Sequence, residues 1–244
     1  MKRLVVTGAA SGIGAATVRQ ALDLGYAVAA LDVDPERLTQ TWRGTPVLPV
    51  ACDVVDPDAV SAAFKTAQDR WGAPASGLVH AAGVYRVAPS TDLTAEQWRG
   101  VLDINATGSF LVCREFGRRA LDAGAGGSAV LLTSIAYERG DVSEPAAHYA
   151  ASKGAVVSLA RQLAVEWGKA GIRVNAVAPG VIATPMLTLG DDPDLLEAYL
   201  RDRVPLGALG TADDVASACL FLVGDQAAYI SGAVLPVDGG AGAA

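Results

Sequence analysis

The sequence predicts a single α/β domain in which helices cover both faces of a parallel, doubly wound sheet of about seven strands. Short β-branched segments alternate along the chain with longer Ala-rich segments of helical period. The strand-like segments are apolar throughout, which indicates burial on both faces of a parallel sheet. The chain has 244 residues, 51% of them hydrophobic, which is enough for one large core.

These patterns place the elements in a regular order. Short β-branched, apolar runs predict strands at 3–7, 27–31, 46–51, 77–80, 129–133, 173–178 and 234–237. Ala-rich segments of helical period predict helices at 12–24, 35–41, 57–71, 95–121, 147–170 and 212–223. Residues 184–210 contain Pro, Gly and Asp where a helix is due. We expect an irregular substrate-binding loop there within a single domain of residues 1–244, the alternative being an ordinary surface excursion.

Composition excludes several classes of function. Asp and Glu (26) outnumber Lys and Arg (19), so the net charge of −7 makes nucleic acid a poor partner. Cys52, Cys113 and Cys219 are distant in sequence and are expected to be buried free thiols, not a disulfide framework. With only His80 and His148 present, no histidine metal cluster is expected. No apolar run approaches the roughly 20 residues of a membrane span, so we expect a cytoplasmic protein without membrane attachment.

A glycine-rich turn lies between the first strand and the first helix. It reads TGAASGIG and contains Gly8, Ser11, Gly12, Ile13 and Gly14. Glycines allow the tight turn and the close approach of the backbone to a pyrophosphate, and the helix N-terminus supplies N–H groups for the phosphates. The turn therefore predicts a dinucleotide site and a Rossmann-type sheet, although the spacing is GxxxGxG instead of GxGxxG.

The second strand ends at Asp32, eighteen residues after Gly14. A carboxylate at this position can accept hydrogen bonds from both ribose hydroxyls of adenosine and repels a 2′-phosphate. Neither the turn nor the residues directly after Asp32 contain a basic side chain that would neutralise such a phosphate. The sequence therefore favours NAD over NADP; the alternative is a solvated acid at a strand end.

Tyr149 and Lys153 are four residues apart in a predicted helix, so both side chains project from one face. A phenol with a pKa of about 10 is a poor base at neutral pH, and a nearby ammonium favours the phenolate. Such a tyrosine can take the hydroxyl proton of an alcohol or return it to a ketone.

Together these motifs resemble the short-chain dehydrogenase/reductase family over essentially the whole chain. The matching segments, in the family's order, are TGAASGIG at 7–14, Asp53-Val54, His80-Ala81-Ala82-Gly83, Asn105, Ser134, Tyr149-x-x-x-Lys153, Asn175, Pro179-Gly180 and VDGG at 237–240. The resemblance implies that Tyr149 is the general acid/base and that Ser134 hydrogen-bonds the reacting oxygen. It implies that Lys153 binds the nicotinamide ribose and lowers the pKa of Tyr149. Asn105 would hold a water that links Lys153 to solvent.

The resemblance also implies a set of cofactor contacts. Asp53 and Val54 would flank the adenine, and Thr184 would hold the nicotinamide carboxamide. The remaining positions, on the adenosine side and after the sixth strand, are Ala81, Ala82, Gly83, Pro179, Gly180 and Ile182.

Two departures from the family pattern concern His80 and the loop before Tyr149. His80 stands where the family usually has Asn and is expected to brace the sheet. The segment from Ser134 to Tyr149 is about two residues longer than usual in the family. Either Tyr137, Glu138, Arg139 or Asp141 reaches a polar substrate or, as we slightly favour, the extra residues bulge into solvent. Candidate substrate contacts are Arg86, Ile135, Tyr137 and Met186, and a solvated loop position is the alternative for Arg86.

The predicted function is NAD-dependent interconversion of a secondary alcohol and a ketone. One alternative is an NADPH-dependent 3-oxoacyl-thioester reductase, which Asp32 disfavours. A second is a 2,3-dihydro-2,3-dihydroxybenzoate-type dehydrogenase, suggested by the segment AAGVYR at 81–86. A third is a sensor that binds the dinucleotide without catalysis, which the intact Ser134, Tyr149 and Lys153 set disfavours. The C-terminal segment resembles the family's subunit contact, so we expect a homotetramer or at least a homodimer.

Overall fold

The computed structural model describes residues 2–141, 144–187 and 192–243. The strands are β1 Arg3–Thr7, β2 Ala27–Asp32, β3 Leu48–Ala51, β4 Gly77–His80, β5 Gly127–Leu132, β6 Ile172–Pro179, β7 Ile182–Ala183, β8 Gly210–Thr211 and β9 Val234–Val237. The helices are α1 Gly12–Asp23, α2 Pro35–Thr41, α3 Pro57–Trp71, α4 Ala95–Leu102, α5 Gly108–Asp122, α6 Ala147–Trp167, α7 Pro193–Arg203 and α8 Ala212–Val223.

The central sheet has seven parallel strands in the order β3-β2-β1-β4-β5-β6-β9. This arrangement confirms the predicted doubly wound, Rossmann-type fold. The chain moves outward from β1 to β3, then returns to the other side of β1 and continues through β4 to β9. In such sheets the crevice beyond the carboxyl ends of the strands, where the order reverses, is the usual ligand site. Here the reversal lies between β1 and β4.

Two helical layers cover the sheet. Helices α3, α5 and α6 pack on one face, where Phe64, Phe116 and Val156 are buried. Helices α1, α2 and α8 pack on the other, where Val18 and Leu220 are buried. Because each strand is buried on both faces, its side chains need no in/out alternation of polarity. Among the described residues, no helix combines the length and apolar character needed to cross a bilayer.

The predicted helix at 95–121 is interrupted, which corrects the expectation of a continuous helix. Residues Asp103–Thr107 form a π-helical turn between α4 and α5. The widened turn contains Asn105, whose side chain bonds to the backbone of the chain after β4. Single π turns inside helices are common at functional sites.

Residues 184–210 are also more regular than predicted, because they contain α7 and connect the short paired strands β7 and β8. The Asp and Pro that indicated a loop are the start signals of α7. Asp192 accepts hydrogen bonds from the amides of Asp194 and Leu195, and Pro193 occupies the first turn, where its missing N–H costs nothing. Residues 188–191 of the predicted loop lie outside the described residues.

Candidate active site

The glycine turn joins the end of β1 to the start of α1, as predicted. Gly8 and Gly12 have φ angles of +64° and +50°, a region that favours glycine. A Cβ on Gly8 would lie 2.8 Å from the Ala82 amide nitrogen, and one on Gly14 would overlap the Gly8 carbonyl oxygen. The turn therefore depends on glycine at these positions.

The N-terminus of α1 fits a pyrophosphate. The Ser11 side chain makes no capping bond, and the first bond back to Ser11 comes from the Ala15 amide. The amides of Gly12, Ile13 and Gly14 therefore precede the first intrahelical bond and face outward at the positive end of the helix dipole. An anionic group is the ligand that such an arrangement favours.

Asp32 lies at the carboxyl end of β2, beside the glycine turn. Its Oδ2 accepts from the Ala10 amide at 2.9 Å and its Oδ1 from the Asp34 amide at 3.1 Å. The two bonds fix the carboxylate next to the phosphate-binding turn, where the ribose of an adenosine would lie.

The predicted adenine positions, Asp53 and Val54, come shortly after the end of β3. The Cys52 amide donates to the Asp32 carbonyl at 2.8 Å, which aligns the end of β3 with β2. The Asp53 carboxylate accepts from the Val55 amide at 3.1 Å. Val54 is buried, and its side chain occupies the space beside Gly108 at the start of α5.

His80 braces the sheet, as expected. It is buried at the end of β4, and its Nδ1 lies 2.8 Å from Thr7 Oγ1 at the end of β1. Thr7 Oγ1 also accepts from the amides of Ala81 and Ala82, both at 3.2 Å. Burial, followed by the charge of Lys153, lowers the His80 pKa to about 3, so the ring is neutral at physiological pH. The threonine then donates to Nδ1, and Nε2 carries the proton.

Asn105 ties the π turn to two neighbouring segments. Its Oδ1 accepts from the Val84 amide at 2.8 Å, and its Nδ2 donates to the Val84 carbonyl at 2.9 Å and to Ser152 Oγ at 3.0 Å. A Cβ on Gly83 would lie 3.1 Å from Asn105 Oδ1 and 3.6 Å from Lys153 Nζ. Asn105 therefore holds the chain after β4 against α6, beside the Lys153 ammonium. Its role in holding a water stays a prediction.

Ser134, Tyr149 and Lys153 meet beyond the carboxyl end of β5. The Ser134 hydroxyl is hydrogen-bonded to the Tyr149 phenol. Lys153 Nζ donates to the Leu132 carbonyl at 2.9 Å and lies 5.5 Å from the centre of the Tyr149 ring. The three side chains that the sequence singled out are thus assembled in one place.

The predicted lowering of the Tyr149 pKa by Lys153 is not seen. Burial raises the Tyr149 pKa above its usual value, and the hydrogen bond from Ser134 opposes that rise. The Lys153 ammonium faces the tyrosine ring instead of its hydroxyl, and burial lowers the Lys153 pKa to about 8. Ser134 is therefore the group in this structure that favours the phenolate.

A cavity of about 440 Å³ extends along this edge of the sheet from the catalytic side chains to Ile13 of the glycine turn, and Asp32, Asp53 and Val54 do not line it. It is lined by the Ser134, Tyr149 and Lys153 side chains and by several predicted cofactor positions: Ile13, Ala81, Gly83, Pro179, Gly180, Ile182 and Thr184. The Thr184 side chain also lies beside Gly12. Of the predicted substrate residues, Ile135 and Met186 line the cavity.

Arg86 and Tyr137, the other predicted substrate residues, do not line it. Arg86 is exposed and donates from Nη1 to the adjacent Tyr85 carbonyl at 2.7 Å, which fits the solvated loop alternative, and its substrate contact stays a prediction. Tyr137 lies in a single 3₁₀ turn, and its hydroxyl hydrogen-bonds to Glu138.

The described residues of the long segment before Tyr149 include part of the cavity wall, which favours a substrate contact over the solvent bulge that we preferred. Arg139, Gly140, Asp141 and Glu144 are part of the cavity wall. Arg139 Nη1 donates to the Ala241 carbonyl, which joins the loop to the C-terminal segment. Val142 and Ser143 lie outside the described residues.

Sequence reasoning missed Tyr85, Tyr199 and Glu144. Tyr85 packs edge-on against Tyr149 with ring centres 4.8 Å apart, and its hydroxyl hydrogen-bonds to Glu144. Tyr199 reaches the cavity from α7, a helix that the sequence did not predict. Of the three, only Tyr85 could have been found from the sequence, because it lies two residues after the glycine of the AAG segment.

Among the described residues, no group of His, Cys, Asp and Glu side chains could hold a metal ion.

Comparisons with known proteins agree with this geometry. A family model described as enoyl-(acyl carrier protein) reductase matches residues 8–242. Galactitol 2-dehydrogenase (L-tagatose-forming) of Cereibacter sphaeroides is 38% identical over 239 residues, covering 96% of this chain and 92% of the relative. D-threitol dehydrogenase of Mycolicibacterium smegmatis is 36% identical over 250 residues, covering 98% of this chain and 92% of the relative.

Among solved structures, a short-chain type dehydrogenase/reductase from Mycobacterium marinum superposes with a TM-score of 0.93 at 30% identity, covering 98% of this chain and 95% of that one. The family model spans nearly all of the sequence, and the match covers more than nine-tenths of each relative. The chain belongs to the short-chain dehydrogenase/reductase family.

Proposed function

We propose that this protein is an NAD-dependent oxidoreductase that interconverts a secondary alcohol and a ketone. The observation that carries the proposal is the hydrogen-bonded Ser134–Tyr149 pair, which lines a cavity together with Lys153 and with Ile13 of the glycine turn. Members of this family bind a nicotinamide dinucleotide. The outward-facing amides of α1, Asp32 and the cavity positions near Thr184 fit such a cofactor.

Each side chain has a role that follows from its place. The Ser134 hydroxyl holds the substrate oxygen beside the Tyr149 hydroxyl, which takes the proton during oxidation or returns it during reduction. Lys153, held by the Leu132 carbonyl, supplies a positive charge near the ring and a donor for a ribose hydroxyl. The bound cofactor accepts or supplies the hydride at the carbinol carbon.

The relatives support the alcohol–ketone reaction. The name of the Cereibacter protein describes oxidation of galactitol at a secondary carbon to a ketose. Arg86, which belongs to the segment that suggested the dihydrodiol alternative, is exposed and does not line the cavity, which disfavours a role for it in binding such a substrate. Asp32 disfavours the NADPH-dependent thioester reductase, and a sensor needs the glycine turn and Asp32 but not the Ser134–Tyr149 pair.

The cofactor preference is tested by fluorescence titration of the protein with NADH and NADPH at fixed salt. We expect NADH to bind at least about tenfold more tightly, because the Asp32 carboxylate repels a 2′-phosphate. Asp32→Asn removes the charge and keeps one acceptor oxygen, which can serve either the Ala10 amide or the Asp34 amide. This variant should narrow the preference for NADH over NADPH by raising the affinity for NADPH.

The matched control is Asp69→Asn, which removes an exposed acid on α3 that is paired with Lys65. It should leave both affinities unchanged. Tighter binding of NADPH by the unmodified protein would reject the role of Asp32 and favour the thioester reductase.

We also propose that the protein is a homotetramer, as the resemblance implies, and that it is cytoplasmic. Tyr229, in the C-terminal segment, is fully exposed, and Val165 on α6 is 80% exposed. Subunit contacts are typically contiguous apolar patches, so we expect these two side chains to belong to such patches. Light scattering should give about four times the 24.8 kDa subunit mass, or twice it for a dimer. A mass near one subunit would reject both assemblies.

A further inference from the structure

Tyr85 is a second tyrosine in the cavity wall, and the proposed reaction gives it no role. Its ring packs edge-on against the Tyr149 ring, with ring centres 4.8 Å apart and an interplanar angle of 78°. Edge-to-face pairs at this separation are attractive beyond the area that they bury. Tyr85 therefore contacts the side chain that carries the proposed acid/base, and both residues line the same cavity.

The backbone on the N-terminal side of Tyr85 is tied to the backbone of Tyr149. The Asn105 side chain binds the amide and the carbonyl of Val84 and donates to Ser152 Oγ at 3.0 Å. Ser152 Oγ in turn donates to the Tyr149 carbonyl at 2.7 Å. Two side chains thus link the residue before Tyr85 to Tyr149 itself.

The backbone on the C-terminal side of Tyr85 is tied to the segment that leads into α6. The Ala88 amide donates to the Pro145 carbonyl at 2.9 Å, and Ala88 forms a parallel bridge with Ala146. The Tyr85 hydroxyl hydrogen-bonds to Glu144, the residue before Pro145. The Tyr85 ring is therefore fixed relative to α6, the helix that carries the proposed acid/base.

These contacts matter because the hydroxyl of a tyrosine lies at the far end of its side chain. A small rotation about χ1 displaces that hydroxyl from a bound substrate. Ser134 binds the Tyr149 hydroxyl, and Lys153 Nζ lies 5.5 Å from the centre of the ring. The Tyr85 ring adds a rigid surface against which the whole Tyr149 ring packs.

We propose that Tyr85 is a positioning residue, whose ring keeps the Tyr149 hydroxyl aligned with the substrate oxygen. The two backbone connections and the bond to Glu144 hold the Tyr85 ring in place. The inference rests on the proposed function, because it concerns the acid/base of the same site. Tyr85 acts through Tyr149 and transfers no proton itself.

Tyr85→Ala and Tyr85→Phe separate the ring from its hydroxyl. With NAD and an alcohol substrate, Tyr85→Ala should lose roughly tenfold or more in the maximal kcat of its pH profile, because proton transfer depends on alignment. Tyr85→Phe keeps the ring and should stay within about threefold of the unmodified enzyme. NADH titration checks that the cofactor site of each variant is intact. Full turnover by Tyr85→Ala, or equal losses in both variants, would overturn the inference.

The same substitution in Tyr149→Phe distinguishes positioning from contact with the substrate. Once the hydroxyl is gone its alignment no longer matters, so Tyr85→Ala should change the remaining kcat by less than about twofold. An equal loss with and without the hydroxyl would show that Tyr85 acts on the substrate, and the inference would be wrong.

Tyr199→Ala is the matched control for this comparison. It removes a ring from the same cavity wall, and within the described part of the chain no ring contact joins Tyr199 to Tyr149. Whatever its effect on KM, Tyr199→Ala should change kcat by the same factor with and without the Tyr149 hydroxyl.

A titration that needs no turnover separates this inference from the proposed reaction. With NAD bound, the difference in ultraviolet absorbance between a protein and its Tyr149→Phe counterpart, followed against pH, reports ionisation of Tyr149 alone. Burial raises the Tyr149 pKa, and loss of the Tyr85 ring admits water. Tyr85→Ala should therefore lower the Tyr149 pKa, and Tyr85→Phe should leave it unchanged.

The titration gives a clear result whether or not the enzyme is active. A lowered Tyr149 pKa in a protein that oxidises no alcohol would support the ring contact and reject the proposed function. An unchanged pKa in Tyr85→Ala would overturn the inference, even in an enzyme whose turnover confirms the proposed function.

Discussion

Tyr149→Phe is expected to lose about two to four orders of magnitude in kcat while still binding NADH. The change removes only the hydroxyl that is hydrogen-bonded to Ser134, so the ring can still pack against Tyr85. Steady-state kinetics with an alcohol substrate and a parallel NADH titration measure the two effects. Loss of turnover with intact NADH binding would show that Tyr149 acts in proton transfer and is not needed to assemble the cofactor site.

Tyr26→Phe is the matched control, because Tyr26 is also buried but precedes β2, at the opposite edge of the sheet. It should keep full turnover. Turnover by Tyr149→Phe at the rate of the unmodified enzyme would reject Tyr149 as the acid/base.

The Ser134–Tyr149 hydrogen bond should also affect how the rate of alcohol oxidation depends on pH. Burial raises the Tyr149 pKa and the Ser134 hydrogen bond opposes that rise. Alcohol oxidation requires the phenolate, so kcat/KM should rise with pH through the Tyr149 pKa. Ser134→Ala removes the opposing bond, so the rising limb should move to higher pH in addition to any loss of maximal rate. An unshifted limb would show that another group titrates there.

Gly14→Ala is expected to abolish measurable NADH binding and to reduce the free energy of unfolding by roughly 1–3 kcal/mol. The new Cβ would overlap the Gly8 carbonyl oxygen, so the turn between β1 and α1 must open to accommodate it. Opening the turn displaces the amides at the start of α1. Urea unfolding and NADH titration on the same preparation measure both effects.

Gly100→Ala provides the contrasting helical glycine. It lies in α4, and a Cβ there would meet no atom within 4 Å. Alanine is a better helix former than glycine, so the free energy of unfolding of this variant should rise by about 0.5–1 kcal/mol. The variant should bind NADH normally. A Gly14→Ala protein as stable as Gly100→Ala, with normal NADH binding, would contradict the proposed tight packing of the turn.

Local patterns predicted most of the fold, because apolar strands and Ala-rich helices specify their structure over short distances. The helices at 35–41, 57–71 and 212–223 were predicted with their observed bounds, as were the strands at 3–7, 77–80 and 234–237. The error at α7 came from interpreting Asp192 and Pro193 as loop residues when they form its N-terminal cap. Composition cannot distinguish a helix start from a turn, because both use Asp and Pro.

The sequence by itself determined the sheet, the glycine turn, Asp32 and the proximity of Ser134, Tyr149 and Lys153, because motifs at strand ends share one edge of a parallel sheet. Tertiary structure decided the π turn at Asn105, the exposed position of Arg86, and the contribution of Arg139, Asp141 and Glu144 to the cavity wall. It also decided that burial, opposed by Ser134, sets the Tyr149 pKa. These properties depend on contacts between segments that are far apart in sequence, which spacing along one chain does not encode.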